Sequence, residues 1–188
     1  MDFSFTEEQK KFREEVHRFL EGEVRQGLWE PACDAWIQGY NSDFSKRVAQ
    51  KGWIGLTWPK EYGGQARSPI DRLILTEEML RFGAPGACHW FADRQVGGGI
   101  LSFGTEELKK EFLPSIAKGE AYFGVSMSEP GTGSDLASLQ TRAVEDGDYY
   151  VLNGQKTWTS CAHLAHYFYM VARTDPRQQN TEALVSLS

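Results

Sequence analysis

The chain has 188 residues, 40% of them hydrophobic, with six Trp, eleven Phe and seven Tyr, a composition that excludes a disordered polymer and allows one sizeable core or two small ones. Its formal net charge of −6 is not interrupted by any basic block, which argues against a nucleic-acid or other polyanion partner. Three widely spaced cysteines, Cys33, Cys88 and Cys161, form neither a disulfide framework nor a zinc spacing, and a reducing, cytoplasmic setting is expected.

The opening run, Met1 to Glu8, is acidic and lacks the basic and apolar regions of a signal or transit peptide, and no run is apolar enough to span a bilayer. Thr6 with Gln9 reads as a capping box, and Phe12, Val16, Phe19 and Leu20 recur at helical spacing, so a helix is expected to about Glu23. Asp43 is the expected cap of a short helix through Phe44 and Val48, which Gly52 ends. Trp58-Pro59-Lys60-Glu61-Tyr62-Gly63-Gly64 reads as a loop. Ser68-Pro69 then opens a helix through Leu73, Ile74, Glu77, Met79 and Leu80 to Gly83, on which Glu77, Glu78 and Arg81 read as a solvated face. A fourth helix is expected over about 90–103, weakened by Gly97-Gly98-Gly99 unless a close contact or a ligand tail explains the run. Thr105 caps a fifth, ending near Pro114 and Gly119.

At Ala121 the pattern changes to strands. Tyr122 to Ser128, Ser138 to Val144, Tyr149 to Leu152 and His166 to Ala172 read as strands, with a turn at Asp146-Gly147. Asn153-Gly154 is a strong hairpin signal, and Lys156 to Ser160 is expected to pair back across it. The expected fold is α+β: an all-helical amino-terminal domain, 1–120, followed by an antiparallel, barrel-like middle β domain, 121–188. Because the chain stops in the apolar run Ala183 to Ser188, more protein is expected to follow.

Within the β part, Val125 to Asp135 is the stretch of greatest chemical interest. Val125 and Met127 alternate with Ser126 and Ser128, then Pro130, Gly131 and Gly133 allow a rigid turn and close backbone approach. The hydroxyls of Ser128, Thr132 and Ser134, with the backbone amides, are donors suited to phosphate or to the polar edge of an aromatic cofactor, and the plain alternative is a surface turn. Gly131-Thr132-Gly133-Ser134 has no following lysine and opens no βαβ unit, so it is neither a P-loop nor a dinucleotide fingerprint. His163 and His166 are three apart but lie in a loop-to-strand region, and no metal is expected.

Several runs together resemble the acyl-CoA dehydrogenase family. They are Phe5-Thr6-Glu7-Glu8-Gln9, Pro59 to Gly64, Phe103-Gly104-Thr105-Glu106-Glu107 with Leu113-Pro114, Gly119-Glu120, Ser128 to Asp135, and Asn153 to Ser160. The likeness covers the amino-terminal helical and middle β domains. It implies FAD, an acyl-CoA substrate and α,β-dehydrogenation of the thioester to a trans-2-enoyl-CoA in fatty-acid and lipid metabolism, with electron-transfer flavoprotein as acceptor and a homo- or hetero-oligomer.

By the same resemblance, Ser128 and Ser160 donate to the flavin edge that gains negative charge, Met127 offers its backbone to the pyrimidine ring, and Trp158 lies against the flavin. Ser134 reaches the boundary of cofactor pyrophosphate and substrate, and Val125, Gly133 and Thr159 complete the lining. Trp158 read without the family is an ordinary sheet-packing aromatic. Thr159 replaces the usual apolar β-branched residue, and Cys161 a small polar one. The family's glutamate base belongs to a carboxy-terminal helical domain, so the catalytic residue is left unassigned and the isolated chain is expected to be inactive. The alternatives are a non-catalytic short subunit or fragment that binds a partner chain, an acyl-CoA oxidase, or a flavin monooxygenase.

Overall fold

The computed structural model describes residues 4–174 and the backbone of residues 184–186. Met1 to Phe3, and all of the terminal run except Leu184–Ser186, lie outside the described residues. Two compact units are present, Met1–Tyr122 and Phe123–Ser188.

The first unit is helical. Helix α1, Glu7–Arg25, starts at the Thr6–Gln9 capping box and buries Phe12, Val16 and Leu20 on one stripe. After the short α2, Ala35–Gln38, which the sequence pattern did not predict, α3 spans Ser42–Gln50. Its cap is Asn41, not Asp43: the Asn41 side chain accepts from the Phe44 N–H at 2.8 Å, and Asp43 sits in the first turn, where its charge suits the helix dipole. Helix α4, Pro69–Arg81, has Ser68 and Asp71 as a reciprocal capping box and packs on α1.

The solvated face predicted on α4 is corrected at one residue. Glu78 is 1% exposed and sits in the α1–α4 contact, its carboxylate accepting from Arg13 at 3.1 Å and lying 2.9 Å from His17 Nδ1. Helical spacing cannot tell a buried, paired carboxylate from a wet one, because the partners lie on another helix.

The predicted fourth helix begins earlier and is not uniform. Helix α5, Ala87–Phe91, passes into a π-helical segment, Ala92–Val96, and then into α6, Gly97–Phe103. At the π segment the buried Asp93 accepts from the Gly55 N–H at 3.1 Å and pairs with Arg94, and burial raises its pKa. Gly97 is accounted for by close packing: a Cβ there would lie 2.1 Å from the buried Trp58 ring. Helix α7, Glu106–Ala117, runs through Pro114 rather than ending at it, and Gly119, at φ 70°, follows its last turn.

The second unit has a three-stranded sheet in the order β1-β4-β5 and a separate two-stranded hairpin, β2-β3. The strands are β1 Phe123–Ser126, β2 Arg142–Asp146, β3 Tyr149–Asn153, β4 Tyr167–Ala172 and β5 Leu184–Ser186. The helical-then-strand order is as expected, but the sheet is mixed. β1 and β4 are parallel, Phe123 opposite Tyr167, whereas β4 and β5 are antiparallel, and among the described residues no barrel closes. The hairpin turns at Gly147-Asp148, so that Asp146 faces Tyr149, as the Asp146-Gly147 signal predicts.

The hairpin expected at Asn153-Gly154 does not form. Lys156 to Ser160 is not a strand, and Trp158 and Cys161 hold left-handed φ values of 59° and 57° that a strand cannot accommodate. Gly154 has a different use: it follows the Arg142–Asn153 pair and lies opposite Thr141, where a Cβ would lie 2.3 Å from Thr141 Oγ1, so two antiparallel backbones approach closely where the sequence suggested a turn.

Candidate functional site

The residues singled out on the strand side lie in two stretches of the second unit, 125–135 and 156–160. Val125 belongs to β1 and is half-buried, while the neighbouring Ser126 is buried with its hydroxyl 3.1 Å from Thr159 Oγ1. Two residues later the Ser128 carbonyl accepts from the Thr157 N–H at 2.9 Å. These bonds bring Met127 and Ser128 alongside Thr157, Trp158 and Thr159 without a regular ladder.

Beyond Ser128 the chain reverses. Glu129 and Thr132 exchange backbone hydrogen bonds of 2.8 and 3.1 Å around Pro130-Gly131, the tight turn expected of that dipeptide. Gly133 and Ser134 follow on an exposed loop, which closes on a short 3-10 turn, Leu136–Ser138. Arg173 ties that turn down, its guanidinium donating to the carbonyls of Leu139, at 2.7 Å, and Ala137.

Sequence reasoning did not single out the pair underneath. Lys156 Nζ donates to the Met127 carbonyl and to Glu129 Oε1, both at 2.9 Å, and the Glu129 carboxylate also accepts from the N–H groups of Gln140, at 2.6 Å, and Thr141, at 2.9 Å. Burial opposes the charge on Glu129, but the donors around it, Thr141 foremost, outweigh burial and hold its pKa down at about 2. The available signal was a lone lysine between a glycine turn and an aromatic, which in isolation reads as a solvated charge.

Three observations in this unit point to a flat, polar ligand. Trp158 is 90% exposed on a left-handed backbone, a conformation costing about 1–3 kcal/mol for a bulky residue, and so forgoes the burial its indole would otherwise gain. Thr157 Oγ1 is buried with no hydrogen-bond partner among the described residues. Around the positions a Cβ would take on Gly131 and Gly133, no atom lies within 4 Å, and neither glycine has a positive φ. Nothing within the described chain therefore demands glycine at either position, and the space beside that backbone is open.

Other candidates lead elsewhere. His163, in a 3-10 turn, and His166, just before β4, are both exposed, and among the described residues no group of three or more His, Cys, Asp or Glu is placed to hold a metal ion. Burial raises the Cys161 thiol pKa, which disfavours a reactive thiolate. In the helical unit a cavity of about 590 Å³ is lined by Lys46 on α3 and by Lys51 and Lys118, which follow the last turns of α3 and α7, and it contains none of the predicted site residues.

Comparison with known proteins gives these features a context. The model of the acyl-CoA dehydrogenase N-terminal domain matches residues 6–120, and that of the acyl-CoA dehydrogenase middle domain matches residues 124–187. Acyl-CoA dehydrogenase FadE26 of Mycobacterium tuberculosis is 39% identical over 186 residues, covering 97% of this chain and 46% of that protein. Among solved structures, the Tcur3481-Tcur3483 steroid ACAD superposes with a TM-score of 0.82 at 37% identity, covering 95% of this chain and 46% of that one. The ChsE4-ChsE5 complex from Mycobacterium tuberculosis gives 0.80 at 40% identity, covering 94% and 44%. The chain thus spans about half the length of the relatives it matches. With a helical unit matching one domain model and a strand unit matching the next, in that order, the chain belongs to the acyl-CoA dehydrogenase family.

Proposed function

We propose that this chain carries the flavin- and thioester-facing part of an FAD-dependent acyl-CoA dehydrogenase that converts an acyl-CoA to its trans-2-enoyl-CoA. The observation carrying the reading is Trp158: an indole held out on a strained backbone, beside a partnerless buried hydroxyl at Thr157, suits a broad aromatic ligand with polar edges. FAD, when bound, supplies the acceptor for hydride from the β-carbon of the substrate.

The chain's own residues bind and orient. Trp158 offers its face, Met127 its backbone, and Ser128 and Ser160 uncharged donors at an edge where negative charge develops. Val125, Gly133 and Thr159 line the site, and Ser134 serves cofactor and substrate together. No carboxylate of this chain is assigned the α-proton base. Electron-transfer flavoprotein is the proposed acceptor, an oligomer the proposed assembly and the cytoplasm its compartment. Among the described residues no helix is long and apolar enough to cross a membrane. The likeness to a protein described as a steroid ACAD supports a bulky acyl group.

A second reading, a subunit that completes its site with a different partner chain, is favoured by the likeness to a solved complex of two named chains. For the principal reading, the purified chain is mixed with FAD and an acyl-CoA and passed over a sizing column. A yellow band moving with the protein, lost in Trp158→Ala, is the expected result. A chain that retains no flavin defeats the claim that it holds the cofactor.

A further inference from the structure

The Lys156–Glu129 pair is buried, with side chains 7% and 6% exposed, yet neither residue belongs to the proposed cofactor lining. Such a pair is weak ground for stability, since removing two ions from water opposes their attraction, and its presence calls for another explanation. Its connections supply one. Lys156 has two acceptors on the 127–129 stretch, and Glu129 has three donors, drawn from Gln140, Thr141 and Lys156. One ion pair therefore ties together three stretches of chain, 127–129, 140–141 and 156–157.

The consequence for the backbone follows from peptide planarity. Among the described residues no peptide bond is cis, so when Lys156 holds the Met127 carbonyl on its own side, the Ser128 N–H of the same peptide is directed to the opposite side. The next peptide is held as well. The Ser128 carbonyl accepts from Thr157, and the Glu129 N–H donates to the Thr132 carbonyl at 2.8 Å. Two successive peptides are locked, and the second lock belongs to the residue directly before Trp158.

We infer that Lys156 and Glu129 are positioning residues: the pair sets the direction of the Ser128 N–H and the placement of Trp158 without touching the ligand. This rests on the flavin reading above. A lysine at this place does what a hydrophobic residue of similar volume cannot, because only a multiple donor can hold a carbonyl and a carboxylate together. Arg173, clamping the 137–139 carbonyls, anchors the far end of the same loop.

The test uses the full chain as wild type, Lys156→Met, Lys156→Arg and the double variant Lys156→Met with Glu129→Gln. Replacing both ions removes the unpaired charge that the single variant leaves, while the Gln side-chain oxygen still accepts from the Gln140 and Thr141 N–H groups, so the double variant recovers its urea midpoint. A merely structural pair predicts that FAD binding recovers with it. Positioning predicts that the double variant still binds FAD about tenfold more weakly, the effect of losing one charge-assisted hydrogen bond, with a shifted flavin absorption spectrum, and that Lys156→Arg restores part of the affinity. A double variant with wild-type affinity and spectrum overturns the inference.

Amide hydrogen exchange provides an arm independent of flavin. Protection of the Thr157 and Thr141 N–H groups falls in Lys156→Met while that of α1 and α4 is unchanged, and unaltered protection at Thr157 and Thr141 overturns the positioning role. Failure of the wild-type chain to take up FAD defeats the flavin reading and the ligand clause of this inference together, and the exchange result then decides the backbone clause alone.

Discussion

Adjacent glycines in α6 are expected to respond to the same substitution with opposite signs. A methyl group added at Gly97 would lie 2.1, 2.4 and 3.0 Å from three carbons of the Trp58 ring, against the 3.4 Å or more of ordinary contact, so the ring must retreat by more than an ångström. It has little room to do so. Trp58 is buried, a Cβ on Gly55 would already lie 2.6 Å from the ring, and Gly64 crosses 2.2 Å from the Trp58 carbonyl by the same measure.

Overpacking of this kind costs about 1–3 kcal/mol, and the gain in helix propensity from Gly to Ala offsets about 1 kcal/mol of it. Gly97→Ala is therefore expected to destabilise by up to about 2 kcal/mol, lowering the melting temperature by up to about 4–8 °C. Gly98 faces open space, with no atom within 4 Å of its Cβ position, so Gly98→Ala retains the propensity gain and stabilises by about 0.5–1 kcal/mol. Thermal denaturation followed by far-UV circular dichroism and by tryptophan fluorescence reads both. Five of the six tryptophans lie in the helical unit, so the fluorescence reports on the unit in question. A Gly97→Ala variant as stable as Gly98→Ala would refute the close-packing account of the glycine run.

His89 is fully buried beside Ser45, its Nδ1 2.8 Å from the hydroxyl, and burial, aided by Arg94, pushes its pKa from 6.5 down to about 3. The unfolded chain therefore takes up this proton first. Stability from His89 is complete above pH 6.5 and declines as pH falls from 6.5 toward 3, by up to about 1.4 kcal/mol per pH unit. Urea titrations at pH 7 and pH 5.5 are expected to show a smaller acid loss in His89→Asn than in wild type, and equal losses would refute the assignment. In the loop beyond β1, Gly133→Ala is expected to leave the stability of the ligand-free chain within about 0.5 kcal/mol of wild type while weakening FAD or acyl-CoA binding, measured by fluorescence titration. Loss of stability without loss of binding would show that the open space there has no ligand role.

Local chemistry was legible in the residues. The Thr6–Gln9 and Ser68 caps, the Asp146-Gly147 turn and the change from helix to strand near residue 121 depend on groups no more than a few positions apart, and such groups meet whatever the rest of the chain does. The cap of α3 was misplaced by two residues because Asn41 and Asp43 are both good caps, and backbone geometry, not residue type, chooses between them. The π-helical segment left no readable periodicity, and the bond it receives at Asp93 comes from Gly55, across the fold.

The sequence by itself determined the family and the order of helical and strand units. Only the tertiary structure decided that β1 and β4 run parallel, that Glu78 is buried, that Asn153-Gly154 lies against Thr141-Arg142 rather than turning a hairpin, and that Lys156 is paired with Glu129. The physical reason is distance along the chain. Caps and turns join near neighbours and carry their signal in residue type, whereas these contacts join residues such as Phe123 and Tyr167, whose meeting depends on where every intervening segment packs.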